Sequence, residues 1–176
     1  HLTNPTLSII VPAFNEAKII ENCLYSLFSS KYPVKNYELI VVNDGSTDET
    51  ERIVNNLINI YPNLKLFSKP NGGKASAQNL GIKHAKGKFI IITDADSTVP
   101  VSWLETISND LKSYDIVLGG YTVNNPSNFL EKVQESHYLL KFEYGAFFGR
   151  PQSGVNIGFR KDVIDKIGYF NENKTS

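Results

Sequence analysis

The chain has 176 residues, of which 41% are hydrophobic, with 12 glycines and 8 prolines, and this is typical of one globular domain with a sizeable core. Its 18 basic and 18 acidic residues leave no net charge, so no overall field favours nucleic acid or an anionic membrane. The single cysteine excludes an internal disulfide, and no apolar run is long enough to span a bilayer.

The first strand and helix are predicted near the start of the chain. Leu7–Pro12 (LSIIVP) is β-branched and almost continuously apolar, which is typical of a buried strand that ends at a proline. Asn15 is predicted to cap the helix that follows. The apolar residues at helical spacing are Ile19, Ile20, Cys23, Leu24, Leu27 and Phe28.

A second strand and helix follow with the same pattern. Tyr37–Asn43 (YELIVVN) is predicted as a strand. Ser46 or Thr47 is predicted to cap the next helix, with Asp48 and Glu49 in its first turn, where carboxylates favour the helix dipole.

The middle of the chain continues the alternation. Leu64–Ser68 is predicted as the third strand, and Pro70–Gly73 as a turn into a helix of small residues over 74–85. Lys88–Asp94 is predicted as the fourth strand, and Pro100 as the first residue of the next helix.

The last part adds a fifth strand over 115–121, a long helix over 127–147, a sixth strand over 154–160 and a helix that ends at Gly168. Alternating strands and helices predict an α/β domain whose sheet is mainly parallel, with helices on both faces. Ligands of such sheets bind beyond the carboxyl ends of the strands, so the ligand-binding residues are expected at those ends.

Two carboxylates follow the fourth strand. Asp94 and Asp96 are two residues apart, and both could present oxygens to one hard cation, which would neutralise a diphosphate. Taken alone, the pair is more typical of a turn than of a cation site, because aspartate after a strand bonds to nearby backbone.

Two other strand ends carry charged groups with the same ambiguity. Asp44 follows the second strand and could accept a hydrogen bond from a nucleobase or ribose, or could belong to a tight turn before a helix. Lys74 follows two glycines and could meet a phosphate at a helix N-terminus, or lie on a solvated turn.

Several classes of site are excluded by missing motifs. The Gly72-Gly73-Lys74-Ala75 segment lacks the earlier glycine and the hydroxyl residue of a phosphate-binding P-loop. No Gly-x-Gly-x-x-Gly follows the first strand, no nucleophile elbow is present, and the three histidines lack zinc-ligand spacing.

Four segments together resemble the family 2 glycosyltransferases of the GT-A fold. They are Ser8–Glu16 (SIIVPAFNE), Val41–Asp48 (VVNDGSTD), Asn71–Gly81 (NGGKASAQNLG) and Thr93–Ser97 (TDADS), in the family's order and spacing. The resemblance covers essentially the whole chain. It implies a Rossmann-like, three-layer α/β/α sandwich: one catalytic domain over 1–176, with a donor-binding half over 1–97 and a partial acceptor-binding half over 98–176.

The resemblance also implies a role for each matching residue of the donor site. The expected donor is a nucleotide-diphosphate sugar, with UDP the commonest nucleotide of the family, and the expected cofactor is Mg²⁺ or Mn²⁺. The implied roles are Pro12, Ala13 and Glu16 in the nucleoside pocket, Asp44 on the base, Lys74 on the base or phosphates, Asp94 on ribose or sugar, and Asp96 on the metal.

The second half of the chain is similar to the membrane polysaccharide-synthase branch, as is the form of the Gly-Gly-Lys segment. The segment over 128–138 resembles the part that leads to the acceptor site, and Gly154 and Asn156 lie in one that resembles the acceptor-receiving strand and loop. The resemblance implies inverting transfer to a glycan or lipid-linked acceptor, with no nucleic-acid partner. It also implies a whole protein anchored by downstream helices at the cytoplasmic face of a membrane.

The catalytic base is not assigned to any residue of this chain. In the family, an aspartate of a Glu-Asp motif takes the acceptor proton, a few residues after a segment that matches Gly168–Glu172. We therefore expect the base beyond Ser176, and we expect residues 1–176 alone to bind nucleotide with metal but to transfer sugar feebly or not at all.

The alternatives are a non-catalytic nucleotide-sugar-binding module and a sugar nucleotidyltransferase. The nucleotidyltransferase would need a glycine-rich basic loop after the first strand, where Pro-Ala-Phe-Asn-Glu stands.

Overall fold

A computed structural model describes residues 5–118 and 156–172. In these ranges the strands are β1 (Leu7–Ala13), β2 (Tyr37–Asn43), β3 (Leu64–Ser68), β4 (Phe89–Ile92), β5 (Ile116–Leu118) and β6 (Ile157–Arg160). The helices are α1 (Ile20–Phe28), α2 (Thr50–Ile58), α3 (Lys74–His84), α4 (Trp103–Ser113) and α5 (Asp162–Ile167), with a 3₁₀ turn at Val34–Asn36.

The strands form one sheet in the order β3-β2-β1-β4-β6-β5. The neighbours among β3, β2, β1 and β4 pair in parallel, whereas β6 pairs antiparallel to both β4 and β5. The prediction of a mainly parallel α/β sheet is therefore confirmed. The carboxyl ends of β1, β2, β3 and β4 meet at one edge, called the carboxyl edge below.

The apolar residues of β1 alternate between two cores, one on each face of the sheet. Ile9 packs with the inward faces of α1, α2 and α4, and Ile10 packs with α3 and α5. The two faces give three layers. Gly81 lets α3 lie close against β1, since a Cβ atom at Gly81 would fall 2.4 Å from Cγ2 of the fully buried Ile10.

The start of α1 differs from the prediction. The helix begins at Ile20, and Asn15 is not its cap. Asn15 has φ 57°, and its side-chain oxygen accepts a hydrogen bond from the Thr47 amide at 2.8 Å. The predicted cap was wrong because the Asn15 side chain binds the neighbouring loop after β2 and not its own helix.

The start of α2 was also placed too early. The helix begins at Thr50, and Ser46 and Thr47 both contact Asn15 in the preceding loop. Asp48 bridges the loops: its Oδ1 accepts from the Thr50 amide at 3.0 Å, and its Oδ2 accepts from Ala17 at 3.0 Å.

Other boundaries shifted by a few residues. Pro100 lies in a turn before α4, and its carbonyl accepts a hydrogen bond from the Trp103 amide at 2.9 Å. The prediction that α4 begins at Pro100 was therefore wrong. β4 ends at Ile92, which leaves Asp94 in the loop beyond it. The predicted end of the last helix at Gly168 is confirmed, with φ 80° at that glycine.

The predicted helix over 127–147 and Gly154 lie outside the described residues. None of the described helices is long and apolar enough to cross a membrane.

Candidate functional site

A pocket of about 390 Å³ opens at the carboxyl edge of the sheet. It lies where the loops after β1, β2 and β4 meet the N-terminus of α3. Every residue that the sequence assigned to the donor site lines this pocket. The lining residues are Pro12, Ala13, Phe14, Glu16, Asp44, Asn71, Gly73, Lys74, Asp94, Ala95 and Asp96.

Asp44 is buried, and its carboxylate holds the loop between β3 and α3. Lys69 contacts its Oδ1 at 2.6 Å, the Gly72 amide donates to Oδ1 at 3.0 Å, and the Gly73 amide donates to Oδ2 at 2.8 Å. The Asn71 side-chain amide also donates to the Asp44 carbonyl at 3.1 Å. Asp44 thus fixes the loop that carries Lys74, a structural role beyond the base contact that the resemblance implied.

Lys74 and Asp94 form an ion pair across the pocket. Lys74 begins α3 on one side, and Asp94 follows β4 on the other, with Nζ 2.6 Å from Oδ1. The Asp94 side chain is 18% exposed and the Lys74 side chain 45% exposed. The structure therefore brings carboxylates and a lysine together at one edge of the sheet.

The acidic groups of the pocket repel one another. The pKa of Glu16 is raised by partial burial and by the negative charges of Asp96, Asp48 and Asp94. The part of this shift that comes from the neighbouring carboxylates reflects a negative local potential. The same potential favours a cation bound at this edge.

The donor set of Asp94 and Asp96 fits Mg²⁺ or Mn²⁺ shared with a diphosphate. Among the described residues, no group of three or more histidine, cysteine, aspartate or glutamate side chains is arranged to hold a metal. Such hard cations in phosphate sites take one or two carboxylates and complete their coordination with phosphate oxygens and water. Two carboxylates in an open pocket provide this incomplete set.

Cys23 lies beneath the same loop and is buried. Its thiol contacts the Asp94 carbonyl at 3.5 Å, and burial, with the charges of Asp96 and Asp94, raises the pKa of the thiol to about 12. Cys23 therefore stays protonated at neutral pH and packs under the loop, without the thiolate character of a nucleophile.

Asn156, which the sequence assigned to the acceptor region, lies just before β6. It is 8% exposed with φ 61°, and its side-chain oxygen accepts from the buried Thr93 hydroxyl at 2.6 Å. Thr93 directly precedes Asp94, so this bond ties the loop after β4 to the strand that follows it in the sheet order. The acceptor role of Asn156 stays a prediction.

Asn79 of α3 holds the segment after α5. Its side chain donates to the Phe170 carbonyl at 2.9 Å and to Glu172 at 2.8 Å, and it accepts from the Phe170 amide at 2.9 Å. The bond from Asn79 lowers the pKa of Glu172, so this carboxylate stays ionised. A structural role for Glu172, with no assignment as a base, agrees with these contacts.

Two residues of the site were missed by the sequence analysis. Lys69 directly follows β3 and neutralises Asp44, and its signal was a basic residue directly after a strand whose neighbour is followed by an aspartate. Phe14 lines the pocket with 47% of its surface exposed. An exposed aromatic ring beside a strand end is a signal for stacking of a flat ligand.

The fold and the site define an α/β domain with an acidic, cation-favouring pocket at the carboxyl edge of its sheet. The family model described as glycosyl transferase family 2 matches residues 8–168, and the chain belongs to this family. Its solved structural relatives are glycosyltransferases of the GT-A fold, so the predicted fold is confirmed.

Three relatives illustrate the similarity. Glycosyltransferase AglE of Haloferax volcanii is 31% identical over 175 residues, which cover 96% of this chain and 57% of AglE. S. aureus TarS, solved in complex with UDP-GlcNAc, is 25% identical with a TM-score of 0.71, covering 94% of this chain and 48% of the solved one. The mannosyltransferase PcManGT of Pyrobaculum calidifontis, solved with GDP-Man and Mn²⁺, is 28% identical with a TM-score of 0.75, covering 97% and 49%. The chain thus spans about half the length of these relatives.

Proposed function

We propose that this domain binds a nucleoside-diphosphate sugar, with UDP the preferred nucleotide, together with Mg²⁺ or Mn²⁺. We propose further that the whole protein transfers the sugar, with inversion, to a glycan or lipid-linked acceptor. The observation that carries the proposal is the pocket in which Lys74 and Asp94 meet at 2.6 Å beside Asp96. A lysine and two carboxylates at one strand edge supply opposite charges for a diphosphate and its metal.

The nucleoside would lie on the β1 side of the pocket. Pro12, Ala13 and Phe14 provide an apolar wall there, and the partly exposed Phe14 ring offers a face on which a base can stack. Asp44 accepts three hydrogen bonds from the segment between β3 and α3. It also lines the pocket, so it would lie next to a bound base. These residues would hold the base, and the diphosphate would extend from it toward α3.

The diphosphate would lie between α3 and the loop after β4. Lys74 at the N-terminus of α3 provides a positive charge. Asp96 would hold the metal, and Asp94 would share it, in addition to the ribose or sugar contact that the resemblance implied. When bound, such a metal neutralises diphosphate oxygens and makes the diphosphate a better leaving group.

Calorimetric titration with UDP, GDP and CDP, with and without Mn²⁺, tests this proposal. UDP is expected to bind most tightly of the three nucleotides, and to reach its full affinity only when Mn²⁺ is present. Asp96→Asn is expected to weaken UDP binding in Mn²⁺ by roughly 100-fold, because the metal loses a protein ligand. Asp115→Asn is the matched control, since it removes an exposed carboxylate at the opposite edge of the sheet.

Two results would count against the proposal. Failure of all three nucleotides to bind would remove the donor function. Binding that is indifferent to Mn²⁺ and to Asp96→Asn would remove the metal role of Asp96. We also propose that the whole protein lies at the cytoplasmic face of a membrane.

A further inference from the structure

The ion pair between Lys74 and Asp94 is open to exchange. Lys74 Nζ lies 2.6 Å from Asp94 Oδ1, but 45% of the lysine side chain is exposed. Ion pairs with a partly exposed partner contribute little to stability, because water and salt screen them. The flexible four-carbon stem of lysine lets its ammonium group reach a second partner without movement of the backbone.

The negative charges at the pocket outnumber the positive ones. Lys69 neutralises Asp44, and Lys74 neutralises Asp94. Within the described part of the chain, Glu16 and Asp96 form no ion pair, and the raised pKa of Glu16 reflects burial and then the neighbouring negative charges. The four carboxylates and two lysines therefore leave an excess of two negative charges, which one divalent cation would balance.

A divalent cation at Asp94 and Asp96 would meet the ammonium group of Lys74 at the same carboxylate. Two positive charges at this separation repel each other, so the metal and the Asp94-bound lysine compete. A diphosphate removes the conflict, because it offers new acceptors to the lysine and further ligands to the metal.

We propose that Lys74 is an exchangeable cation of the donor site. It pairs with Asp94 when nucleotide is absent and moves to the diphosphate when metal binds at Asp94 and Asp96. The metal then binds weakly alone and tightly with nucleotide, and the two ligands are coupled through one lysine. The inference rests on the proposed function, and it adds a residue that links metal affinity to donor binding.

Titration of Mn²⁺ without nucleotide, followed by the electron paramagnetic resonance signal of free Mn²⁺, tests the exchange. Lys74→Met is expected to bind Mn²⁺ alone about tenfold more tightly than the wild type, because the competing charge is gone. The same variant is expected to bind UDP in saturating Mn²⁺ about tenfold more weakly, because the diphosphate loses its lysine. Binding coupling is reciprocal, so the enhancement of Mn²⁺ affinity by UDP falls about tenfold when the affinity for UDP without metal is unchanged.

Two further variants separate the exchange from simple charge loss. Lys112→Met removes one lysine from the last turn of α4, outside the pocket, and is expected to change neither affinity. Lys74→Arg keeps a positive charge at the site and is expected to keep Mn²⁺ affinity near the wild-type value. Circular dichroism of each variant establishes that the fold is retained.

The outcomes distinguish this inference from the function on which it rests. Unchanged or weaker Mn²⁺ binding by folded Lys74→Met, with UDP binding intact in the wild type, would overturn the exchange and leave the proposed function standing. Absence of UDP binding by the wild type would overturn the proposed function and the exchange together. A gain in Mn²⁺ affinity for Lys74→Met but not for Lys112→Met supports it.

Discussion

Replacing Asp44 with alanine is expected to lower the free energy of unfolding by about 3–5 kcal/mol and to weaken nucleotide binding by roughly 100-fold. The Asp44 carboxylate is 4% exposed and accepts from Lys69, Gly72 and Gly73. Its removal leaves an ammonium group and two amides without their acceptor, each of which carries a desolvation cost. The loop that carries Lys74 loses its contacts with the Asp44 side chain, so the lysine is held less firmly over the pocket.

Urea unfolding and calorimetry measure the two effects separately. Asp44→Asn is the milder variant, since an amide oxygen can still accept from the loop, and we expect it to lie between the wild type and Asp44→Ala in both. An Asp44→Ala protein with wild-type stability would show that the contacts of Asp44 with the loop do not stabilise the fold. Wild-type nucleotide affinity in that variant would show that the loop does not need Asp44 to form the site.

Replacing Glu38 with alanine is expected to destabilise the fold by about 3–5 kcal/mol at pH 7, and to do so less in acid. Glu38 is 3% exposed at the amino edge of the sheet. Its Oε1 accepts from the Ser8 hydroxyl and the Lys86 amide at 2.6 Å each, and its Oε2 contacts Lys65. The loss leaves the buried Ser8 hydroxyl and the Lys86 amide without this acceptor.

The pH dependence follows from the pKa of Glu38. Burial alone raises this pKa, but the hydrogen bonds from Lys65, Ser8 and Lys86 outweigh burial and hold it below the ordinary value of 4.5. A depressed folded-state pKa stabilises the fold fully above about pH 4.5, and that contribution is lost as the pH falls through the folded value. We therefore expect the stability difference between wild type and Glu38→Ala to be constant near neutral pH and to shrink below about pH 4.5.

Urea unfolding at a series of pH values between 3 and 7 measures this difference. Glu105→Ala, at an exposed position in the first turn of α4, is the control and is expected to change stability by less than about 0.5 kcal/mol at any pH. A difference that grows as the pH falls would contradict the account of Glu38.

The strands of the fold were predictable because their signal is local. The run at Tyr37–Asn43 is rich in β-branched residues, the run at Leu64–Ser68 has three large apolar residues, and the structure has strands with the same bounds. The helix starts were not predictable, because they depend on contacts between loops. Asn15 and Asp48 each have a side chain typical of a cap, but Asn15 binds Thr47 and Asp48 binds Ala17 across the carboxyl edge.

The site was predictable to a similar extent. Residues of the four motifs line one pocket because the parallel order of β2, β1 and β4 brings the ends of these strands together. The partners within that pocket were not predictable from spacing. Lys69 has no motif of its own, and its contact with Asp44 exists only because β2 and β3 are neighbours in register. Likewise, the contact of Lys74 with Asp94 required the position of α3 over β1.

The most direct test of a nucleotide–metal site at this pocket is anomalous scattering from crystals of the protein grown with UDP and Mn²⁺. The account predicts one manganese peak within coordination distance of the Asp96 carboxylate and the UDP diphosphate, with the base beside Phe14. Nucleotide density elsewhere on the protein, or a diphosphate in the pocket with no manganese at Asp96, would contradict it.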